Sequence, residues 1–84
     1  MSRTLRYYSK PDCPLCEKSR PVVEKLARAF GLTLEEIDIL SDAALEARYG
    51  ERIPALVLGD RELGWGRLSQ RALERKLAEH LGRG

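Results

Sequence analysis

Asp12-Cys13-Pro14-Leu15-Cys16 holds the only two cysteines of the chain, three positions apart, with a proline between them. A pair this close closes too small a loop to constrain the unfolded chain much, so a bond between the two would serve chemistry rather than stability. The stretch follows a strand-like run, Thr4 to Tyr8, bounded by Ser9, Lys10 and Pro11. It opens a long helix-like run, in which Leu15, Ser19, Val22, Val23, Leu26 and Phe30 keep helical spacing and Gly31 closes the pattern. Asp12 or Cys13 falls at the N-cap and Pro14 at the first helical position, where a missing N–H costs nothing. Pro21 lies inside the pattern and cannot donate to the carbonyl of Glu17, which predicts a kink rather than a stop. A Cys-x-x-Cys pair where a strand meets a helix is the sequence mark of a dithiol redox site.

Outward from that junction, Thr33 to Ile39 alternates apolar and polar residues with one slip of phase at Glu35-Glu36 and reads as a second strand. Strand, helix, strand makes a βαβ unit, whose strands are expected to lie parallel with a right-handed crossover. Ser41 or Asp42 caps a short helix through Tyr49, with Leu45 and Tyr49 on one face and Gly50 at its end. Ala55 to Leu58 and Arg61 to Trp65 are two short strands joined by Gly59-Asp60, a hairpin. The last helix runs from a cap at Ser69 to Leu81, with Leu73, Leu77 and Leu81 at i, i+4 and i+8, and Gly82 ends it. The order is therefore β-α-β-α-β-β-α, in a single domain over residues 1–84.

Composition narrows the function classes. The chain has 84 residues, 43% of them hydrophobic and 6% aromatic, enough for one core filled mostly by aliphatic side chains. A net charge of +2 is too small to argue for nucleic acid, and 33% charged residues of both signs suit a soluble chain. No apolar run approaches the roughly 20 residues of a membrane helix. Met1 to Arg6 lacks the apolar block of a secretory signal. A cytoplasmic location is the expectation.

The chemistry of the pair follows from its place. A thiolate is the nucleophile in disulfide exchange, so the site must hold one cysteine below the free thiol value of about 8.5. Cys13 stands at a helix start, where unpaired N–H groups and the positive dipole end favour an anion. Lys10 and Lys18 add positive potential, and Asp12 and Glu17 oppose it. Cys16 lies one turn deeper and is expected to be the more buried, resolving thiol. Cys13 is expected to be open to attack a substrate disulfide, and Cys16 to displace the reduced product. The same two cysteines could instead be small core residues. A zinc centre within the chain would need four ligands, and the only histidine, His80, sits near the C-terminus on a helix face read as solvated. A cluster shared between two chains, or a redox-sensing binding module, would use the same two sulfurs without turnover. Tyr8 and Trp65 are read as packing aromatics that can border the site.

The element order, with Cys-x-x-Cys opening the first helix and a proline opening the third strand, resembles the glutaredoxin branch of the thioredoxin fold over Leu5 to Leu81. Tyr8-Ser9-Lys10-Pro11-Asp12-Cys13-Pro14-Leu15-Cys16 is similar to the glutaredoxin Tyr-x-Lys-x-x-Cys-Pro-Tyr-Cys stretch, with Leu15 where Tyr is usual. Arg52-Ile53-Pro54 is similar to the family's Thr-Val-Pro, and Glu62-Leu63-Gly64 stands where glutaredoxins carry Gly-Gly. The resemblance implies a four-stranded mixed sheet of order 2-1-3-4 flanked by three helices, and a thiol–disulfide oxidoreductase using Cys13 and Cys16. It implies a cis peptide before Pro54, which would turn the backbone of Ile53 toward Cys13 to pair with an extended substrate; without it, a trans proline at a strand start is the expectation.

Lys10 and Arg52 are implied as contacts for a substrate carboxylate, such as the glycine end of glutathione. Pro14, Leu15, Ile53, Pro54 and Gly64 are implied as the rest of the substrate-binding set. The nearest likeness is to small bacterial glutaredoxin-like proteins with a Cys-Pro-Leu-Cys site. After Gly64, where glutaredoxins have Cys-Asp-Asp to help hold the amino end of glutathione, this chain reads Trp65-Gly66-Arg67-Leu68 with no acid. That argues against tight glutathione binding. Trp-Gly-Arg is similar to the glutaredoxin-like electron donors of ribonucleotide reductase, which thioredoxin reductase reduces. Either glutathione or thioredoxin reductase is implied as reductant of a monomer that binds no metal or resident cofactor and acts on disulfide-containing proteins or small disulfides.

Overall fold

The structure, a computed structural model, describes residues 3–82. Met1 and Ser2, which head the stretch read as lacking a signal, lie outside the described residues. The elements run β1 (Thr4–Ser9), α1 (Pro14–Phe30), β2 (Thr33–Asp38), a 3-10 turn (Ile39–Ser41), α2 (Ala43–Tyr49), β3 (Ala55–Leu58), β4 (Arg61–Trp65) and α3 (Gln70–His80). The sheet order is β2-β1-β3-β4. The β1–β2 pair is parallel and the β1–β3 and β3–β4 pairs are antiparallel. Element order, sheet order and the mixed pairing agree with the sequence reading.

Alternation along the central strands divides the core into two layers. Leu5 and Tyr7 of β1 and Leu56 and Leu58 of β3 pack with Val23, Leu26 and Phe30 of α1 and with Leu73 and Leu77 of α3. Tyr8 of β1 and Ala55 and Val57 of β3 point the other way, onto Ile39 and Tyr49. The ring of Tyr8 stacks on that of Tyr49, with centroids 4.3 Å apart and planes 15° apart. Tyr8 is therefore a packing residue. The phase slip in β2 also has its cause here: Leu34 packs into the first layer and Ile37 against the second, three residues on and thus on the opposite face. β2 ends at Asp38, and Ile39 is buried in the turn that follows rather than in the strand, one residue short of the expected span.

Local signals in the sequence set the element ends. Gly31 ends α1 in the left-handed region at φ 64°, donating to the carbonyls of Ala27 and Arg28. Asp42 caps α2 by accepting from the N–H of Ala44 at 2.7 Å, and Ser69 caps α3 by accepting from Ala72 at 3.3 Å. Helix α1 continues through Pro21 without a stop. The hairpin register shifts between Leu56 and Val57, with Gly64 opposite Leu56 and Glu62 opposite Val57, so Leu63 is the extra residue of a bulge. Lys76 of α3 donates to the carbonyl of Leu63 at 2.8 Å, which satisfies a group the bulge takes out of the ladder.

Candidate active site

The chain leaves β1 at Ser9 and turns into α1 through Asp12, the one described non-glycine residue at positive φ (58°). Asp is among the residues that tolerate this conformation. Cys13 is the N-cap in an extended conformation (φ −115°, ψ 99°) and Pro14 follows in the first turn, which decides the cap between the two sequence candidates. The Cys13 sulfur accepts from the N–H of Cys16 at 3.2 Å, and its carbonyl accepts from the N–H of Glu17 at 3.1 Å. Cys13 and Cys16 are joined as a disulfide, with Cα atoms 5.2 Å apart, inside the usual range for such bonds. Neither sulfur titrates in this form.

Cys16 is fully buried and Cys13 keeps 9% of its surface. The order of burial is the one expected, but the openness expected of Cys13 is not found in the disulfide. Its side chain folds back over the helix start to reach both the Cys16 sulfur and the Cys16 N–H. What remains uncovered opens into a shallow cleft formed with Asp12, Pro14 and Glu17.

Charge around the pair is arranged by one arginine. Arg20, one turn beyond Cys16, donates to Glu17 at 2.7 Å and grips Glu36 of β2 through two nitrogens at 2.9 and 2.7 Å. Ser9 adds a third bond to Glu36, at 2.8 Å. The hydrogen bonds from Arg20 hold the Glu36 carboxyl below the usual carboxylate range against the opposing cost of burial, and Ser9 helps. The two carboxylates in turn hold Arg20 firmly protonated. The Glu17 carboxylate, expected to oppose a thiolate at Cys13, is therefore already neutralised by a partner. Lys10 lines an open cleft of about 420 Å³ beside this network, together with Pro11, Glu17, Arg20 and Glu36.

The Ile53–Pro54 bond is cis. Pro54 is buried and its carbonyl accepts from the N–H of Gly66 at 2.7 Å. Ile53 is half-buried and packs against the Tyr8–Tyr49 layer. Arg52 is not a free cation: it donates to both oxygens of Glu62 at 3.0 and 2.8 Å, and its guanidinium lies 5.5 Å from the centre of the Trp65 ring. Trp65 itself is half exposed. A Cβ at Gly64 would meet Leu68 at 3.5 Å and Leu73 at 3.6 Å, so Leu68 roofs that position. Lys10, Pro14 and Leu15 thus line open clefts around the cysteines, while Arg52, Ile53 and Gly64 already have partners within the fold.

Two residues that hold the site were not singled out from the sequence. Tyr7 is fully buried, and its hydroxyl donates to the carbonyl of Cys16 at 2.6 Å. Burial pushes its phenol up to about 12. Strand alternation put Tyr7 on the α1 side, and a buried phenol needs a partner, so that signal was available. Gly66, at φ 76°, carries the bond to Pro54 and had no comparable signal. Among the described residues no group of three or more His, Cys, Asp or Glu side chains is placed to hold a metal ion. No helix among them is long and apolar enough to cross a membrane.

A family model described as a glutaredoxin-like domain (DUF836) matches residues 4–82. The chain belongs to the glutaredoxin-like domain family. It is 33% identical over 62 residues, 70% of this chain and 68% of the other, to a probable thioredoxin from Archaeoglobus fulgidus. Among solved structures, protein XcR50 from X. campestris superposes with a TM-score of 0.71 at 37% identity, covering 89% of this chain and 96% of that one. A thioredoxin mutant from Halobacterium salinarum gives 0.70 at 27% identity, over 90% and 72%. The fold of this glutaredoxin-like domain is thioredoxin-like, with the Cys-x-x-Cys disulfide at the start of its first helix.

Proposed function

We propose that this glutaredoxin-like protein is a thiol–disulfide oxidoreductase that reduces disulfides of proteins or small molecules. The observation that carries the reading is the Cys13–Cys16 disulfide at the start of α1, with surface left on Cys13 and none on Cys16. In the reduced protein the Cys13 thiolate attacks one sulfur of a substrate disulfide. A Cys13–substrate S–S bond forms, the substrate bond breaks, and the leaving thiolate takes a proton from water. Cys16 then loses its proton and attacks the Cys13 sulfur. The internal disulfide forms and the second substrate thiol departs, so two electrons have passed from the protein dithiol to the substrate.

The Cys16 N–H that now reaches the Cys13 sulfur supports this order, because the same group can stabilise a thiolate there. Lys10, Pro14 and Leu15 border the approach, and the backbone of Ile53, ahead of a proline whose carbonyl is taken by Gly66, is the pairing edge for an extended substrate. Either glutathione or thioredoxin reductase returns the electrons. The reading places a monomer in the cytoplasm, where thiols are kept reduced.

Insulin reduction by the wild-type protein, run separately with glutathione and with thioredoxin reductase as electron source, tests the proposal. Turnover with one of the two is the expected result. Cys16→Ser should accumulate a mixed disulfide and Cys13→Ser should not. Absence of turnover with both reductants sinks the reading.

A further inference from the structure

Beside the disulfide, one face of α1 opens into a cleft of about 260 Å³ formed by Leu15, Lys18, Ser19, Val22, Arg67 and Leu68. The four α1 residues stand three, one and three positions apart, which puts them on one side of the helix. Leu15 lies between the two cysteines and ties the cleft to the reacting sulfurs. Arg67 and Leu68 arrive from the loop between β4 and α3. That loop is fixed at two points: Gly66 donates to the Pro54 carbonyl at 2.7 Å, and Leu68 lies over Gly64. Arg67 is thereby brought to the helix that carries the cysteines.

The lining is apolar at Leu15, Val22 and Leu68 and cationic at Lys18 and Arg67, with no acid. Neither cation is paired among the described residues. The ion pairs there belong to Arg6, Arg20 and Arg52, and no side-chain hydrogen bond among them engages Lys18 or Arg67. The opposite flank of Cys13 differs. There Glu17 is already held by Arg20, and the charges without a partner among the described residues are Asp12 and, in the adjoining cleft, Lys10, which are opposite in sign. Uncompensated charge next to the disulfide is thus positive on the Leu15 side, where it adjoins apolar surface.

We infer that this cleft receives an acidic, apolar segment of the disulfide-bearing polypeptide that Cys13 attacks. An aliphatic side chain of the partner would cover Leu15, Val22 and Leu68, and a neighbouring carboxylate would meet Lys18 and Arg67. The inference rests on the oxidoreductase reading above and adds the class of substrate.

The test uses reduced Cys16→Ser protein, which stops at the mixed disulfide, and two peptides of equal length. Each peptide carries one cysteine as a 2-pyridyl disulfide, flanked by leucine with glutamate in one and leucine with lysine in the other. Attack by Cys13 forms the protein–peptide S–S bond and expels pyridine-2-thione, whose absorbance gives the rate. The glutamate peptide should react about fivefold faster or more at low ionic strength, an advantage that fades as salt screens it. Charge reversal by Lys18→Glu with Arg67→Glu should invert the order. Equal rates, or an order that salt and charge reversal leave alone, would overturn the substrate class while the oxidoreductase reading stands. Failure to release thione from both peptides and from a neutral small pyridyl disulfide would overturn both.

Discussion

The hydroxyl of Tyr7, on the central strand, donates a 2.6 Å hydrogen bond to the backbone carbonyl of Cys16. The sulfur that must break the mixed disulfide is thus held through its own backbone to the middle of the sheet. Cys16 has no exposed surface, so its reach toward Cys13 depends on where α1 sits over β1. This bond helps to fix that placement.

Tyr7→Phe removes the bond without changing the shape of the core. A net loss of about 1 kcal/mol of unfolding free energy is expected. Alkaline pH tests the same group. Burial raises the Tyr7 phenol from its ordinary value of 10.0 to about 12. A phenol whose folded value is raised contributes stability that is fully present below the unfolded value and is lost as pH rises through the folded one. Urea midpoints should therefore fall from about pH 10 upward. Tyr49 is raised in the same direction, chiefly by burial, so Tyr7→Phe should flatten the fall only in part. Wild-type and Tyr7→Phe curves that stay parallel above pH 10 would count against the assignment.

Much of this was legible in the residues. The Ser69 cap, the narrowing of the other two caps to Asp12 or Cys13 and to Ser41 or Asp42, the Gly59-Asp60 hairpin and the helical spacing of Leu73 and Leu77 are local, and local chemistry is written in adjacent residues. Sheet order and the cis bond before Pro54 came through the family resemblance rather than through spacing. The pairing of Arg20 with Glu36 spans 16 positions, and that of Arg52 with Glu62 spans ten. No periodicity announces such pairs, because each depends on which strands lie side by side. The covering of Cys13 was missed for a different reason: in the disulfide its side chain lies back over the helix start against Cys16, a geometry that residue order does not show.

The Arg20–Glu36 grip gives an acid-side prediction. Hydrogen bonds from Arg20, then from Ser9, lower the Glu36 carboxyl against a burial cost that acts the other way. A carboxyl depressed on folding contributes stability that is present above its unfolded value and is lost as pH falls through the folded value. Both side chains are roughly a third exposed, so solvent screening limits the effect. Glu36→Gln should cost about 0.5–1 kcal/mol at neutral pH. The loss relative to wild type should shrink below pH 4, as read from chemical unfolding across the acid range. A deficit of the same size at pH 3 and pH 7 would mean that the charge is not what matters.

Asp12 holds φ 58° immediately before the N-cap cysteine. A residue branched at Cβ should resist that conformation at a cost of about 1–2 kcal/mol, whereas glycine enters it freely. Asp12→Val should therefore lower the thermal midpoint and Asp12→Gly should leave it nearly unchanged. Because Asp12 also borders the exposed side of Cys13, Asp12→Gly removes a negative charge beside the nucleophile. The thiol pKa of reduced Asp12→Gly protein, followed by thiolate absorbance, should fall relative to wild type. A value that holds or rises would show that this carboxylate does not reach the sulfur.

Gly64 and Gly66 separate space from backbone freedom. At Gly64 a new Cβ would meet Leu68 and Leu73 at ordinary contact distance, and the backbone is not in the left-handed region. At Gly66 nothing stands within 4 Å, but φ is 76°. If volume governed the loop, Gly64→Ala would be the more harmful change. If conformation governs it, Gly66→Ala should cost about 1 kcal/mol or more and Gly64→Ala little. The second outcome is expected, because the Gly66 N–H must reach the Pro54 carbonyl and a residue strained at that φ would draw it away. Gly66→Ala should also slow the reaction of reduced protein with an extended peptide disulfide more than with a small one, since the loop carries Arg67 to the cleft beside Leu15. Equal slowing of the two substrates would separate the Pro54–Gly66 bond from polypeptide recognition and leave it a purely structural link.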